Sequence, residues 1–372
     1  MRITIERASF LKALTHVQSV VERRNTIPIL SNVLLHAEKG KLSLTATDLD
    51  IEVVETVAAD VVRGGATTAS AHTLFDIVRK LPDGAQVELQ YGENDGRVTL
   101  SAGRSKFQLQ ALPREDFPAM APGNLPHKFS LASKDLGELI DKTRFAVSTE
   151  ETRYYLNGIY LHAHPEKNKT FLRAVATDGH RLARYELNAP KGSVEMPGII
   201  VPRKTINEMR KLLEDIEDAV EISVSETKIK FSLGSVTLTS KLIDGTFPEY
   251  QRVIPSGNDK MLEVVCDELK EAVDRVSTVS TEKSRAVKLN LDKGKLTLSV
   301  VSPEAGTATE ELLIDYKNTA IEIGFNARYI MDILERIDGA KAVFAFSDAG
   351  SPTLVRDSEG DAALYVLMPM RV

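Results

Sequence analysis

One amphipathic helical pattern occurs three times in this chain, at long intervals. The side chains of Ile206, Met209 and Leu213 are spaced so that they form one apolar stripe of an α-helix. The same spacing starts 132 residues earlier at Leu74 and 124 residues later at Ile330. Solenoid repeats span only about 20–50 residues. Three widely separated copies of one helix therefore predict three copies of a whole domain.

Residues flanking these helices support the same division into three copies. Pro202 suits a first helical position, where its missing N–H has no cost, and Ser70 and Asn326 hold the equivalent place as good N-caps. The strand pattern Gly40-Lys-Leu recurs as Gly294-Lys-Leu. We therefore predict an α+β fold of three topologically similar domains, each with two helices and antiparallel sheets.

Proline and glycine mark the two boundaries between the predicted domains. Three prolines and a glycine fall within residues 117–126, and a second such stretch runs from Phe247-Pro248 to Gly257. Such clusters end regular structure and are typical of linkers. The predicted domains are residues 1–126, 127–254 and 255–372.

Composition excludes several classes of protein and site. Cys266 is the only cysteine in 372 residues, which excludes an internal disulfide framework and a cysteine-rich metal site. The N-terminal residues show no signal peptide, and no apolar run approaches the roughly 20 residues of a membrane span. We therefore expect a cytoplasmic protein without membrane contact, metal or cofactor.

The charge of the chain limits how it can meet nucleic acid. A net charge of −6 argues against a protein that coats nucleic acid over its whole surface, but it allows a basic face. If the three domains pack head to tail, two chains can close into a ring whose hole is lined by helices. A protein that encircles a polyanion needs only weak phosphate contacts, since strong ones would stop it from sliding.

Specific stretches along the whole chain carry a family resemblance. They are Arg24 with Pro28-Ile-Leu, Arg153-Tyr-Tyr-Leu-Asn-Gly158, Ala176-Thr-Asp-Gly-His-Arg-Leu182, Ile200-Val-Pro-Arg-Lys204, Phe247-Pro248 and Met368-Pro-Met-Arg-Val372. With these the chain resembles the bacterial DNA sliding clamps, the beta subunits of DNA polymerase III holoenzyme. The resemblance implies a non-catalytic processivity clamp, whose head-to-tail dimer forms a six-domain ring around duplex DNA.

The resemblance also implies sites and partners. A pocket that takes short Leu/Phe-bearing peptides is expected from Leu156, Thr177, Gly179, His180, Arg181, Leu182, Pro248, Arg252, Val253, Asn326, Tyr329, Val366, Leu367, Met368, Pro369, Met370 and Arg371. Expected DNA contacts are Arg24, Arg153, Tyr154, Tyr155, Arg203 and Lys204. The expected dimer contact comprises Phe107, Leu109, Thr278 and Val279. Expected partners are duplex DNA, a second copy, the polymerase III alpha subunit, the clamp loader delta subunit, and other polymerases and repair proteins with clamp-binding motifs.

Three positions depart from the family pattern. Glu150 replaces a neutral polar residue in a DNA-facing loop, Thr278 is more polar than expected, and Ser284 stands where an aromatic borders the pocket.

Alternative interpretations remain for two motifs. Asp178 and His180 suggest acid–base catalysis, but an Asp-Gly turn after a strand explains them without chemistry, and a Gly-x-Ser-x-Gly elbow, His-Glu-x-x-His motif and phosphate-binding glycine loop are all missing from the sequence. Leu367-Met-Pro-Met is also consistent with a buried terminal strand. A scaffold that docks proteins without binding DNA is the remaining alternative.

Overall fold

The computed structural model describes residues 1–92, 96–215, 218–280 and 285–371. Ser284, one of the predicted departures from the family pattern, lies outside these residues, as does Val372. Within the described residues, one order of elements occurs three times: a strand, a helix, a run of strands, a second helix and three strands. The predicted three-domain α+β fold is therefore confirmed.

The first copy has one strand more than the others, β5. Its elements are β1 (Arg2–Glu6), α1 (Arg7–Gln18), β2 (Asn32–Glu38), β3 (Lys41–Thr47), β4 (Ile51–Ala58), β5 (Asp60–Arg63), β6 (Gly65–Ser70), α2 (Ala71–Lys80), β7 (Gln86–Tyr91), β8 (Arg97–Ala102) and β9 (Ser105–Gln110).

The second and third copies share one order of ten elements. The second comprises β10 (His127–Leu131), α3 (Ser133–Asp141), β11 (Gly158–Glu166), β12 (Lys169–Thr177), β13 (Arg181–Asn188), β14 (Ile199–Pro202), α4 (Arg203–Leu212), β15 (Val220–Val224), β16 (Lys228–Leu233) and β17 (Val236–Lys241). The third comprises β18 (Lys260–Val265), α5 (Cys266–Ser277), β19 (Ala286–Asp292), β20 (Lys295–Ser302), β21 (Gly306–Leu313), β22 (Ile321–Asn326), α6 (Ala327–Leu334), β23 (Lys341–Phe346), β24 (Thr353–Asp357) and β25 (Ala363–Leu367).

Two of the four antiparallel sheets combine strands from successive copies. One eight-stranded sheet has the order β10-β15-β16-β17-β4-β3-β2-β6, and the other has the order β14-β11-β12-β13-β25-β24-β23-β18. The first copy also forms the sheet β5-β1-β7-β8-β9, and the third forms β21-β20-β19-β22. Backbone pairing between β17 and β4, and between β25 and β13, thus joins one copy to the next.

The chain folds into two compact units, and each long sheet lies within one of them. The first unit is Met1–Leu136, Pro190–Met196 and Lys204–Leu242; the second is Gly137–Ala189, Pro197–Arg203 and Ile243–Val372. The second copy contributes strands to both units.

The predicted apolar stripes face the core. Ile206, Met209 and Leu213 are buried, and so are Leu74 and Ile330. Burying such a side chain stabilises the fold by about 1.5–3 kcal/mol. Within the described part of the chain, no helix is long and apolar enough to cross a membrane.

The helix starts follow the prediction at two of the three positions. Asn326 precedes α6, where its side chain accepts a hydrogen bond from the Arg328 N–H, and Ser70 precedes α2, although its hydroxyl makes no capping bond. The sequence predicts Pro202 as the first helical residue of α4, but it ends β14, paired with Gly158, and the helix begins one residue later. Proline fits there because its fixed φ also suits an extended backbone at a sheet edge.

The lone cysteine supplies a test of this packing. Burial raises the pKa of the Cys266 thiol to about 11, and Asp357 and Asp267 add to the shift. The native protein should therefore give almost no reaction with a thiol-specific disulfide reagent at pH 8, because little of the reactive thiolate is present. Denatured protein should release one equivalent of chromophore, and fast stoichiometric labelling of the native protein would contradict this environment.

Candidate functional site

A tight turn between β12 and β13 forms the centre of the candidate site. Asp178 Oδ1 accepts hydrogen bonds from the N–H groups of His180 at 2.9 Å and Arg181 at 3.0 Å. Gly179 has a φ of +88°, in the region that favours glycine, and a Cβ there would lie 2.6 Å from Arg153 Nη1. The backbone of the turn thus requires glycine, and the guanidinium of Arg153 lies against it.

A mostly apolar groove lies beside this turn. Leu156, Leu182 and Val366 belong to one buried cluster, and Pro248 and Val253 stand exposed at the surface. They border a cavity of about 300 Å³. The lining residues are Arg153, Tyr155, Leu156, Thr177, Gly179, Arg181, Leu182, Pro248, Glu249, Tyr250, Val253, Val366 and Met368.

The C-terminal segment is held along this groove by backbone hydrogen bonds. β25 pairs with β13, which places Val366 opposite Leu182. Beyond the strand, the Met368 N–H donates to the His180 carbonyl at 2.9 Å, and the Met370 N–H donates to the Gly324 carbonyl at 2.7 Å. Met368 remains 37% exposed. An exposed methionine on a fixed backbone is an adaptable apolar wall for a ligand.

The structure brings only part of the predicted pocket set to this cavity. Leu367 is fully buried in β25, as the alternative of a terminal strand predicts for that residue, and Asn326 caps α6. The Arg252 side chain is exposed and paired with Glu249. The predicted residues that do not line the cavity are His180, Arg252, Asn326, Tyr329, Leu367, Pro369, Met370 and Arg371.

Four lining residues were not predicted for the groove. Arg153 and Tyr155 were expected to contact DNA, whereas Glu249 and Tyr250 were not predicted for any site. Tyr250 is buried, and its hydroxyl lies 3.0 Å from His162 Nε2. The signal that could have identified both is their position directly after Pro248, a residue already predicted for the pocket.

Arg181 ties the turn to the third copy. Its guanidinium donates to Asp178 Oδ2 at 3.1 Å, to Asp332 Oδ2 at 2.5 Å and to the Phe145 carbonyl at 2.6 Å. It also lies 4.2 Å from the centre of the Tyr329 ring, a cation–π contact. Because its donors are occupied and it is 9% exposed, Arg181 fixes the groove wall.

A second, more polar cavity of about 480 Å³ lies on the other side of the turn. His180 and Tyr329 line this cavity, with their rings stacked at a centroid distance of 6.5 Å. Arg203 and Arg328 also line it, and Glu150 borders it. The turn therefore separates an apolar groove from a basic one.

The predicted DNA contacts differ in their availability. Arg24 and Arg203 are exposed and have no ion pair within the described residues, and Tyr154 is 53% exposed. Lys204 Nζ instead donates to Glu22 at 2.5 Å and to Asp48 at 2.6 Å.

Its surroundings also perturb the titration of Lys204. Partial burial lowers the pKa of Lys204, but Asp48 and Glu22 together raise it above its ordinary value. The lysine therefore stays charged and paired with these two carboxylates. A phosphate must displace them in order to bind it.

The predicted dimer residues lie on an edge strand of the first copy and after a helix of the third. Phe107 and Leu109 are half-buried on β9, the end strand of its sheet. Thr278 and Val279 directly follow α5, and the Thr278 hydroxyl donates to the Asp274 carbonyl at 3.2 Å. β21, which ends the sheet of the third copy, carries Leu313 at 90% exposure.

The Asp178–His180 pair is built into the turn rather than arranged for acid–base chemistry. Asp178 holds backbone N–H groups and Arg181, while the His180 ring stacks on Tyr329. In the described ranges, no group of three or more His, Cys, Asp or Glu side chains is placed to hold a metal ion.

Comparisons with known proteins agree over the full length of the chain. Residues 1–121, 130–249 and 251–371 match the N-terminal, central and C-terminal domains of the DNA polymerase III beta subunit. The beta sliding clamp of Caulobacter vibrioides is 55% identical over 372 residues, with 100% of both chains covered.

Solved structures give the same result. A crystal structure of the C. crescentus beta sliding clamp has a TM-score of 0.98 and 55% identity, covering 100% of this chain and 99% of that one. The Bartonella birtlesii sliding clamp bound to griselimycin has a TM-score of 0.97 and 52% identity, with 100% of both chains covered. The chain therefore belongs to the family of bacterial beta sliding clamps, the beta subunits of DNA polymerase III.

Proposed function

We propose that this clamp closes as a head-to-tail dimer around duplex DNA and tethers its partners through the groove beside the Asp178-Gly179 turn. Family membership gives the general role, since sliding clamps are non-catalytic processivity factors of DNA polymerase III. The six-domain ring, the domain limits 1–126, 127–254 and 255–372, and the cytoplasmic location are parts of this proposal.

The observation that carries the ring is a strand pairing repeated at both junctions between copies. At the first, Val236 of β17 lies opposite Glu55 of β4. At the second, Ala363 of β25 lies opposite Tyr185 of β13. Glu55 and Tyr185 are equivalent, because each lies three residues beyond the residue that closes its hairpin, Glu52 or Leu182. The two junctions therefore use one register.

The same rule leaves one strand with a free edge in the first copy and one in the third. In the first copy, β9 is the equivalent of β17, and in the third copy, β21 is the equivalent of β4. Lys41 pairs with Ala58 and its counterpart Lys295 pairs with Leu313, which makes Glu310 the equivalent of Glu55. Ser105 should then lie opposite Glu310 of the partner subunit, and two such contacts close a ring.

Charges at these two edges are complementary. The edge that carries β9 holds Arg97, Arg104 and Lys106. The edge that carries β21 holds Glu304, Glu310 and Glu311, of which Glu310 also pairs with Arg275 and Glu311 with Lys295 in the same copy. Opposite potentials across an interface favour the correct partner and fix its register. Two β9 edges would bring like charges together. The charges therefore favour pairing of β9 with β21, which is the head-to-tail arrangement.

The groove has the chemistry of a peptide site. Its apolar wall of Leu156, Leu182, Val366 and Met368 can take Leu and Phe side chains, each contributing about 1.5–3 kcal/mol. Three anchors contribute at most about 9 kcal/mol before the cost of ordering the peptide, so micromolar affinity, about −8 kcal/mol, is the tightest binding that we expect. We assign the polymerase III alpha subunit, the clamp loader delta subunit, and other polymerases and repair proteins to this groove.

DNA contact is proposed at exposed side chains. Arg24 and Arg203 are the foremost candidates because each is exposed and makes no ion pair within the described residues, and Tyr154 offers an exposed ring for stacking. Arg153, Tyr155 and Lys204 are weaker candidates because other contacts already occupy them. Few and weak contacts suit a clamp that is held by topology.

Retention on DNA tests encirclement directly. Clamp loaded onto a nicked circular plasmid should remain bound through gel filtration and be lost once a restriction enzyme linearises the circle, because it slides off the ends. Clamp on a circle incubated with heat-inactivated enzyme is the control. Equal retention on circular and linear DNA would contradict a topological link.

A further inference from the structure

Arg153 lies where the two proposed activities meet. Its motif suggests a DNA contact, yet its side chain lines the apolar groove. Glu150, three residues earlier, borders the basic cavity on the other side of the turn. The contact between these two side chains therefore decides which of the two sites Arg153 serves.

Glu150 binds the Arg153 guanidinium at two points. Arg153 Nε donates to Glu150 Oε2 at 2.8 Å, and Arg153 Nη2 lies 2.6 Å from Glu150 Oε1. This parallel fork is the strongest geometry between arginine and a carboxylate. The hydrogen bond from Arg153 lowers the pKa of Glu150, so both groups are ionised at neutral pH.

Gly179 contacts the remaining part of the guanidinium. A Cβ at this glycine would lie 2.6 Å from Arg153 Nη1, which shows how closely the guanidinium covers the turn. Arg153 is thus confined between a carboxylate on one edge and the turn on the other. In this position it forms part of the groove wall, beside Leu156 and Tyr155.

A DNA phosphate would need the Nε/Nη2 edge of Arg153, because Nη1 lies against Gly179. Arginine binds phosphate through the two parallel N–H groups that it uses for a carboxylate. Glu150 already accepts hydrogen bonds from that edge. Because it belongs to the same chain, it does not lose the entropy that a ligand from solution loses on binding. A phosphate must therefore displace Glu150 and also approach its negative charge.

We propose that Glu150 assigns Arg153 to the peptide groove, because its carboxylate occupies the guanidinium edge that DNA phosphate would bind and holds the side chain against Gly179. Glu150 is a positioning residue, since it acts on the bound peptide through Arg153. The inference rests on the proposed groove and names the residue that separates peptide binding from DNA binding at this loop.

Glu150→Gln and Glu151→Gln form a matched pair that tests this. Each removes one negative charge from the same short loop, but Glu151 is exposed and has no ion pair within the described residues, whereas Glu150 holds Arg153. A neutral amide has one acceptor oxygen instead of two and carries no charge, so it cannot form the parallel fork. Any effect specific to Glu150→Gln therefore reports the loss of the fork.

DNA binding is measured first, by fluorescence anisotropy of a short duplex over a series of salt concentrations. Glu150→Gln should bind about tenfold more tightly at low salt, with a log–log salt slope steeper by about one, because one more phosphate contact forms. Glu151→Gln should keep the wild-type slope. The double variant Glu150→Gln/Arg153→Gln should lose the gain.

Peptide binding is measured by calorimetry with a synthetic peptide that carries Leu and Phe anchors. Glu150→Gln should lower the affinity for this peptide about threefold to tenfold, because Arg153 is no longer fixed in the groove wall. Glu151→Gln should leave the affinity unchanged. Equal behaviour of the two single variants in either measurement would overturn the proposal, as would a DNA gain that survives in the double variant. Wild-type protein that binds no peptide would instead refute the groove itself.

Discussion

Deletion of residues 368–372 is expected to abolish binding of a Leu/Phe-bearing peptide while the protein remains a folded dimer. The structure describes all of this segment except its last residue. The deletion removes Met368 from the groove wall and two backbone hydrogen bonds, to His180 and Gly324. One apolar anchor contributes about 1.5–3 kcal/mol, so affinity should fall by at least about 10-fold to 100-fold.

A narrower variant separates the groove from general effects of truncation. Met368→Ala removes only the exposed thioether side chain and should lower the affinity for the peptide about tenfold. Val194→Ala is a matched control, because Val194 is 51% exposed and does not line the groove. Titration calorimetry gives each affinity, and analytical ultracentrifugation checks the dimer. Unchanged affinity in the deletion variant would refute the assignment of this groove.

Phe107→Asp is expected to convert the dimer into monomers. Phe107 is half-buried on β9, an edge strand of its sheet. In the proposed dimer, the register of the two internal junctions would put it opposite Ala308 of the partner subunit. An aspartate there would lose its contact with water when the two edges pair, which costs several kcal/mol per interface. The dimer dissociation constant should rise more than about 100-fold.

Gln108→Asp is the control for this experiment. Its side chain lies on the exposed face of the same strand, so it introduces the same charge and the same poor strand propensity one residue away. Sedimentation velocity over a concentration series should show the control as a dimer and Phe107→Asp as a monomer. Dimers of equal stability in both variants would exclude pairing through this edge.

The repeat made the fold predictable from the sequence. A single amphipathic pattern is ambiguous. The spacing of Ile206, Met209 and Leu213 recurs in two further copies, which identifies the element as a helix and aligns the three domains with one another. The buried stripes confirm this interpretation. The pairing of β17 with β4 was not predicted, because two strands of alternating pattern do not reveal which edges meet.

The candidate site was less predictable, because charged residues form ion pairs with residues that are close in the fold but distant in the sequence. Lys204 looks available for DNA at the start of a helix, yet Glu22 and Asp48 lie 182 and 156 positions away in sequence and bind it. The motif around Arg153 suggests a phosphate ligand. Its contact with Gly179 depends on a turn more than 20 residues later, which no local pattern shows.

The sheets that span successive copies set a limit on how this chain can be dissected. Excising residues 127–254 would separate β17 from β4 and β13 from β25, and so expose two long backbone edges. Bare edges of this kind recruit other strands and lead to aggregation. No contiguous fragment keeps both eight-stranded sheets whole, because β11–β14 lie between β10 and β15 in the sequence but pair in the other sheet. Spectroscopy and crystallisation should therefore use the full chain, even though the sequence repeat suggests cutting between the copies.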